Sequence, residues 1–367
     1  MLTSILIFLI ILSILILVHE LGHFFTARRA GIWVEEFGFG LPPRIIGKKI
    51  GETIYSLNLL PFGGFVRLHG ENTKEGVTKP KVAFINKGKS TRALVVIAGV
   101  VANFILAILA FSVVYSVSGI PREGENVKIV QVAEGSPAEA GGIATGEIVK
   151  SVDGNNVTTT SRFVDLIEER KGEEVTLTLF DGEKLREVKI NPRGDPPEGQ
   201  GPIGVTVTAT EIYFPPWWQR PFIGIYYGFR EALFWGGTVI LGFVKIFRDL
   251  LSGFAPKEIA GPVGIFAITS QAVQFGTLTL INFLGILSVN LAILNILPFP
   301  ALDGGRLLFI GIETLFGRRI VPKVEAAIHT VGMVILILLL LAITAHDIQR
   351  ISQAGGISQF IDSALSQ

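Results

Sequence analysis

Four long apolar stretches with almost no charged residues dominate the sequence. They cover residues 2–18, 93–118, the second half of 259–302, and 326–345. A helix needs about 20 apolar residues to cross the hydrocarbon core of a bilayer, and the first stretch continues through a short polar motif to residue 27. The chain is 49% hydrophobic and only 17% charged, which is typical of a membrane protein. The pattern therefore predicts a polytopic α-helical membrane protein with four transmembrane helices.

The charges between the spans predict the orientation of the chain. Residues 28–92 contain 12 Lys and Arg against 5 Glu, whereas residues 119–213 contain more acidic than basic side chains. Because basic loops stay in the cytoplasm, we expect residues 28–92 on the cytoplasmic side and the acidic segment outside the cell. The chain would then be a multi-pass membrane protein, with the lipid bilayer as a partner.

Residues 211–275 form the one connection whose pattern is ambiguous. Within it, residues 222–250 are apolar but include three charged side chains, and the uncharged core at 232–244 is short for a span. Such a segment suits an amphipathic helix that lies in the membrane interface. This interpretation keeps the number of spans even, so residues 302–325 return to the cytoplasmic side.

Residues 119–210 carry the pattern of a small α+β domain. The stretch EGSPAEAGGIATGEIVKSVDG resembles the signature of a PDZ domain, a fold that binds extended peptides by adding a strand at a sheet edge. The alternative is a small β-rich domain without a ligand. Periodicity predicts one amphipathic helix at 161–169 and five strands, at 127–132, 147–152, 174–180, 185–190 and 204–208.

A polar motif interrupts the first apolar stretch. His19, Glu20 and His23 form the pattern H-E-x-x-H, in which the two histidines share one helix face. The chain has no cysteine, so a metal must be held by His, Asp, Glu or water, which suits Zn²⁺. Glu20, about 100° around the helix, is placed to take a proton from a water at that metal. The alternative is a plain polar helix face, but inside a membrane span these side chains would need polar partners.

A catalytic zinc site of this kind needs a third protein ligand. Asp303, in the stretch LNILPFPALDGGRLL, is the candidate because the predicted topology places it on the same side of the membrane as the histidines. The alternative is that Asp303 caps a short helix. Among the other histidines, His69 and His346 are expected to be exposed, and His329 is expected to be a buried hydrogen-bonding group.

Five motifs occur in order along the chain. They are HELGH in the first span, AGVVANFILAI in the second, the PDZ-like insert, AGPVGI, and LNILPFPALDGG. Together they resemble the site-2 protease family (M50) of intramembrane zinc metalloproteases. The type that they resemble is the bacterial regulator-of-sigma-E protease with a single PDZ domain.

The resemblance implies a set of site residues. His19, His23 and Asp303 would ligate Zn²⁺. Glu20 would be the general base, and Asn295 would contact the substrate backbone or help to hold the oxyanion. From the residue type alone, the alternative for Asn295 is an interhelical hydrogen bond.

The stretch GETIYSLNLLPFGGFVRLHGE in the cytoplasmic loop predicts two strands around a turn at residues 61–64. The resemblance implies that they form a membrane-associated β-hairpin in a protein of the bacterial plasma membrane. The edge of this hairpin would hold the substrate extended. The implied substrates are single-span membrane proteins that another protease has already shortened, such as anti-sigma factors, or leftover signal peptides. The PDZ-like domain would exclude intact substrates, and no nucleic-acid partner is expected.

Two other functions compete with proteolysis. A membrane-anchored PDZ adaptor would need neither Glu20 nor a metal, and a metal carrier would tolerate the loss of Glu20. The predicted boundaries, in chain order, are 1–27 (first span), 28–92 (cytoplasmic loop), 93–118 (second span), 119–210 (PDZ-like domain), 211–275 (interfacial segment), 276–301 (third span), 302–325 (cytoplasmic loop), 326–346 (fourth span) and 347–367 (tail).

Overall fold

A computed structural model describes residues 2–71, 77–197, 199–252, 261–317, 321–353 and 355–356. The chain divides into two compact units. One, the helical unit, comprises Met1–Val117 with Trp218–Gln367, and the other, the inserted domain, comprises Ser118–Trp217.

The helices and strands alternate irregularly along the chain. In order, they are α1 (Leu2–Arg29), β1 (Val34–Ile50), β2 (Thr53–Leu68), α2 (Lys89–Ser118), β3 (Ile120–Val132), α3 (Pro137–Ala140), β4 (Ile148–Val152), β5 (Asn155–Asn156), α4 (Thr160–Glu168), β6 (Val175–Phe180), β7 (Leu185–Ile190), β8 (Val205–Tyr213), α5 (Arg220–Leu251), α6 (Pro262–Phe275), α7 (Thr277–Ile296), α8 (Asp303–Phe316) and α9 (Pro322–Gln353). Two 3-10 turns, Pro80–Val82 and Phe84–Asn86, precede α2.

Within the described part of the chain, four helices are long and apolar enough to cross a membrane, namely α1, α2, α7 and α9. They confirm the four predicted apolar spans. Gly276 separates α7 from α6, because its φ of 100° is a conformation that glycine adopts readily and other residues rarely do. Which side of a membrane each loop faces stays a prediction.

The segment 211–275 was predicted as one amphipathic element, but it contains the end of β8 and two separate helices, α5 and α6. Small residues let α5 pack closely along α2. A Cβ built on Gly228 would lie 2.7 Å from the carbonyl oxygen of Ile108, and Ala232, one turn later, is fully buried. Small residues four apart are a common basis for close packing of membrane helices.

A buried carboxylate from α9 binds the start of α6. Asp347 is fully buried, and its Oδ2 accepts a hydrogen bond of 2.9 Å from the backbone N–H of Gly264. A Cβ built on Gly261 would lie 2.8 Å from the same oxygen, so glycine is needed for this approach. An anionic group at a helix N-terminus is stabilising. This contact gives the motif AGPVGI a structural role, although its Ala260 lies outside the described residues.

The connection between α1 and α2 forms a β-sheet, as predicted, but the predicted turn is wrong. β1 and β2 are joined at Gly51, which has a φ of 64°, whereas residues 61–64 lie inside β2. Gly63 has a φ of 95°, so the proline and glycine residues of this stretch interrupt a long strand without ending it.

The two long strands of this sheet pair in three segments, one of which joins residues 44–50 to 53–58. Residues 36–39 of β1 have partners at 54–57 and also at 64–67 of β2. Residues 64–67 have partners on one side only in the described sheet, so they form one of its edges. The base of the sheet packs on α1 and α2 through a buried cluster that includes Phe24, Val34 and Val95.

The inserted domain is an antiparallel sheet with the strand order β7-β6-β4-β3-β8, and β5 pairs with β4. All five predicted strands are present, although β3 and β8 extend further and pair as far as Ile120 and Tyr213. The amphipathic helix α4 buries Phe163, Leu166 and Ile167 in the core of the domain. This arrangement agrees with the α+β architecture predicted for a PDZ-like domain.

Candidate metal centre

Helix α1 and the start of α8 bring the three predicted metal ligands together. His19 and His23 lie one turn apart on α1, and their Nε2 atoms are 3.1 Å apart. Oδ2 of Asp303 lies 3.1 Å from Nε2 of His19 and 3.2 Å from Nε2 of His23. The three side chains are 10%, 13% and 19% exposed, so the group is largely shielded from solvent.

The geometry of these three atoms fits a zinc ion. In a tetrahedral site with bonds of about 2.0–2.1 Å, two ligand atoms lie about 3.3 Å apart. Oδ2 of Asp303 is buried and has no satisfied hydrogen bond within the described structure. When both Nε2 atoms present lone pairs, a cation between the three atoms removes their mutual repulsion. The residues therefore match the donor set and the spacing that zinc requires.

The tautomer of His23 also fits metal binding. Its Nδ1 lies 2.8 Å from the backbone carbonyl oxygen of Val95 on α2. Because a carbonyl oxygen can only accept a hydrogen bond, Nδ1 carries the proton and Nε2 keeps a free lone pair. This is the usual second contact of a metal-binding histidine.

Two glycines allow α2 to approach the histidines. A Cβ on Gly22 of α1 would collide with the backbone carbonyl of Ala98, and a Cβ on Gly99 of α2 would lie 2.5 Å from Nε2 of His23. A side chain at either position would separate the helices or displace a ligand. Gly99 was not among the predicted site residues, although it begins the G-x-x-x-N pattern of the second span.

A tight turn between α7 and α8 positions Asp303. Ala301 has a φ of 81°, which is unfavourable for a residue with a Cβ. Its N–H donates a hydrogen bond of 3.0 Å to Nδ1 of His329 on α9, which helps to hold this conformation. A Cβ built on Gly304 would overlap the carbonyl of Leu297, so the turn needs glycine after Asp303. The N-cap position of α8 is occupied by Leu302, and Asp303 faces the histidines.

The remaining histidines differ in how well they were predicted. His329 forms a hydrogen bond as predicted, although it is half-buried and not buried, and His346 is exposed. The prediction for His69 is wrong, because it is only 2% exposed. Its Nδ1 lies 2.7 Å from a carboxylate oxygen of Glu35, and its ring packs on Trp33. The polar loop sequence around His69 gave no sign of these partners.

A cavity of about 400 Å³ lies beside the ligand triad. Glu20 lines it, and a Cβ built on Gly64 would lie 3.5 Å from Cγ of Glu20, so the sheet edge 64–67 borders the proposed base. Glu71 and Arg306, two residues that sequence analysis missed, form an ion pair in the same wall. Asn295 is half-buried in the last turn of α7 and is not among the described residues that line this cavity.

The contact between His329 and the turn gives a testable prediction. His329→Leu removes the acceptor for the N–H of Ala301, and because this contact is part-buried the cost is at most that of a fully buried unsatisfied N–H, about 1–3 kcal/mol. We expect a lower unfolding temperature and weaker zinc binding, measured by thermal denaturation and by competition with a chelating dye. In His329→Asn, Oδ1 can replace Nδ1 as the acceptor, and both properties should return toward the native values. Equal zinc affinity in all three proteins would show that the contact does not position Asp303.

The site is a candidate metal centre in which two of the three side chains, His19 and His23, lie on a helix long and apolar enough to cross a membrane. Comparison with known proteins agrees, because residues 7–339 match the profile of a family described as Peptidase family M50. The chain therefore belongs to peptidase family M50, and it is a zinc metalloprotease.

Several relatives match over almost their whole length. A Clostridium perfringens protein, named as a candidate zinc metalloprotease, is 36% identical over 93% of this chain and 97% of its own. The regulator of sigma-W protease RasP of Bacillus subtilis is 28% identical over 94% of this chain and 98% of its own. Among solved structures, the PDZ domain of an SdrC-like protein from Listeria monocytogenes is 25% identical, covers 23% of this chain and 88% of its own, and has a TM-score of 0.21.

Proposed function

We propose that this protein hydrolyses peptide bonds within the transmembrane segments of single-span membrane proteins. The proposal is based mainly on where the proposed metal ligands lie. His19, His23 and the proposed base Glu20 lie on a helix that is long and apolar enough to cross a membrane, and Asp303 completes the triad. A hydrolytic site at this depth suits a substrate that is itself in the bilayer.

Different groups at the cavity are proposed to perform the separate steps of peptide-bond hydrolysis. When bound, zinc supplies a Lewis acid that polarises the scissile carbonyl and activates water at neutral pH. Glu20 lines the cavity next to the ligands, where it takes the proton of the attacking water and then delivers a proton to the departing nitrogen. Asn295 is proposed to bind the substrate backbone or the oxyanion, which requires it to reach the cavity when substrate is present.

The charge distribution supports a site that opens toward the cytoplasm. The basic loop 28–92 follows directly after the histidines, and basic loops are retained in the cytoplasm. The inserted domain then lies outside the cell. In that position it can exclude a substrate with a bulky extracellular part and admit one that another protease has shortened.

The edge of the β-sheet supports a role in holding the substrate. A helical substrate has to unwind before its peptide bonds can be reached, and an extended segment is stabilised when it pairs with a free strand edge. Residues 64–67 form such an edge, and they border Glu20. A substrate strand paired there would pass directly in front of the ligand triad.

Proline substitutions test the sheet edge. Along this edge, alternate N–H groups point toward the partner strand and toward the free side, so Phe65→Pro and Val66→Pro together remove one N–H of each kind. We expect at least one of them to lower kcat/KM for a single-span substrate by roughly 10-fold to 100-fold, because a main-chain hydrogen bond to substrate is lost. Phe65→Ala and Val66→Ala keep the N–H groups and serve as controls. Zinc content is measured on every variant, and full activity in both proline variants would contradict strand pairing.

The proposed activity is tested with purified protein in liposomes. Two reporters share one transmembrane segment, and one carries a folded extracellular domain while the other carries a short tail. We expect zinc-dependent cleavage of the short form and little cleavage of the long form. Cleavage of both would contradict exclusion by the inserted domain but not proteolysis. A panel of single-span substrates that all stay intact while zinc is bound would contradict the proposed activity.

A further inference from the structure

One face of α2 runs along both zinc-binding histidines. Val95, Gly99 and Asn103 are spaced four residues apart, so they lie on the same side of the helix. The carbonyl of Val95 contacts His23, Gly99 leaves room for both rings, and Asn103 lies beside His19. The Nδ1 atoms of the two histidines, which do not face the metal site, therefore both contact α2. The two contact points lie two helical turns apart on that helix.

The contact of His19 with Asn103 does not yet match zinc binding. Nδ2 of Asn103 lies 3.4 Å from Nδ1 of His19. If this amide nitrogen donates the hydrogen bond, Nδ1 is the acceptor and the ring proton lies on Nε2. A protonated Nε2 cannot ligate a metal ion, yet Nε2 is the atom that faces His23 and Asp303.

The orientation of the Asn103 amide resolves the conflict. Asn103 is fully buried, and in the described structure its side-chain amide has one hydrogen-bond partner, Nδ1 of His19, so either orientation leaves one end of the amide unpaired and the zinc-binding tautomer of His19 decides between them. The two ends of an amide group have nearly the same size, so a rotation by 180° preserves the packing and brings Oδ1 to Nδ1 of His19. The backbone carbonyl of Asn103 accepts a hydrogen bond of 2.8 Å from Ser288 on α7, which fixes the position of this residue on α2.

We infer that Asn103 is a positioning residue that selects the zinc-binding tautomer of His19. Its Oδ1 accepts a hydrogen bond from the Nδ1–H of His19, which leaves the lone pair of Nε2 directed at the metal. Asn103 then does for His19 what the carbonyl of Val95 does for His23. This inference rests on the proposed function only through the identity of the metal ligands, and it requires no substrate.

The test is the zinc affinity of three variants in detergent, measured by competition with a chelating dye. Asn103→Leu has a similar volume but no acceptor, and we expect it to weaken zinc binding by about 10-fold to 100-fold. In Asn103→Asp, the carboxylate can only accept a hydrogen bond from His19. We expect this variant to bind zinc at least as tightly as the native protein. Asn290→Leu is the matched control, because Asn290 bonds only within its own helix, to the carbonyl of Ile286, in the described structure. It should not change the affinity.

Two further readouts separate positioning from general stability. The zinc-free Asn103→Leu protein should unfold at a temperature no lower than that of zinc-free Asn103→Asp, because a buried carboxylate costs more than a buried leucine, so weaker zinc binding by the leucine variant would not reflect lower stability. The visible absorption of bound Co²⁺ should change in the leucine variant and remain native-like in the aspartate variant. Native zinc affinity in Asn103→Leu would overturn the inference. If the leucine variant does not fold, weak zinc binding by Asn103→Asp would also overturn it. Because these measurements use no substrate, their outcome does not depend on whether the proposed proteolysis is correct.

Discussion

Glu20→Gln is expected to abolish cleavage of a single-span substrate while leaving bound zinc unchanged. The substitution keeps the size of the side chain and removes its ability to take a proton. General acid–base catalysis contributes roughly 10²-fold to 10⁴-fold, so kcat should fall by at least about 100-fold. Glu20 lines the cavity but is not one of the three converging ligands, so metal content should stay at the native level.

The control for this substitution is Glu168→Gln, which makes the same chemical change on an exposed position of α4 in the inserted domain. It should cleave the substrate at the native rate. Native activity in Glu20→Gln would remove the proposed base from the mechanism. Loss of zinc together with loss of activity would instead assign Glu20 to the metal site.

Asp303→Ala is expected to lose both zinc and activity. Structural zinc sites with four ligands bind with about 10–16 kcal/mol, so the loss of one ligand should cost about 2.5–4 kcal/mol, or roughly 10²-fold to 10³-fold in affinity. Asp303→Asn is expected to bind zinc more weakly than the native protein as well, because it removes the anionic charge while preserving shape. Metal analysis and dye competition measure both variants.

A matched control for the third ligand is Asp165→Ala, at an exposed position of α4. It should retain native zinc affinity. If Asp303→Ala still bound zinc as tightly as the native protein, the triad would not be the metal site, and the close approach of Asp303 to the two histidines would need another explanation.

Much of this fold follows from patterns that depend on few residues. The four spans are predictable because each has an apolar stretch of sufficient length. The spacing of His19 and His23 places both on one helix face whatever surrounds them. Asp303 is some 280 positions away from them in sequence, and only the predicted topology and the family resemblance connected it to the histidines.

Other features depend on tertiary contacts that local sequence does not show. His69 lies in a polar loop, but Glu35 and Trp33 bury it. The turn of the β-sheet falls at Gly51, although the Pro and Gly residues at 61–64 are the stronger local signal. The second contact of His23 is a backbone carbonyl on another helix, which leaves no trace in the identity of the side chain.

The central claim is tested most directly by locating the bond that the protein hydrolyses. A single-span reporter with a short extracellular tail is reconstituted with the native protein in liposomes prepared in water enriched in oxygen-18, and the products are weighed by mass spectrometry. We expect two fragments whose junction lies within the transmembrane segment, toward its cytoplasmic end, with the heavy oxygen in the new carboxyl terminus. Fragments that end outside the apolar segment, or an intact reporter in the presence of zinc-loaded protein, would contradict the central claim.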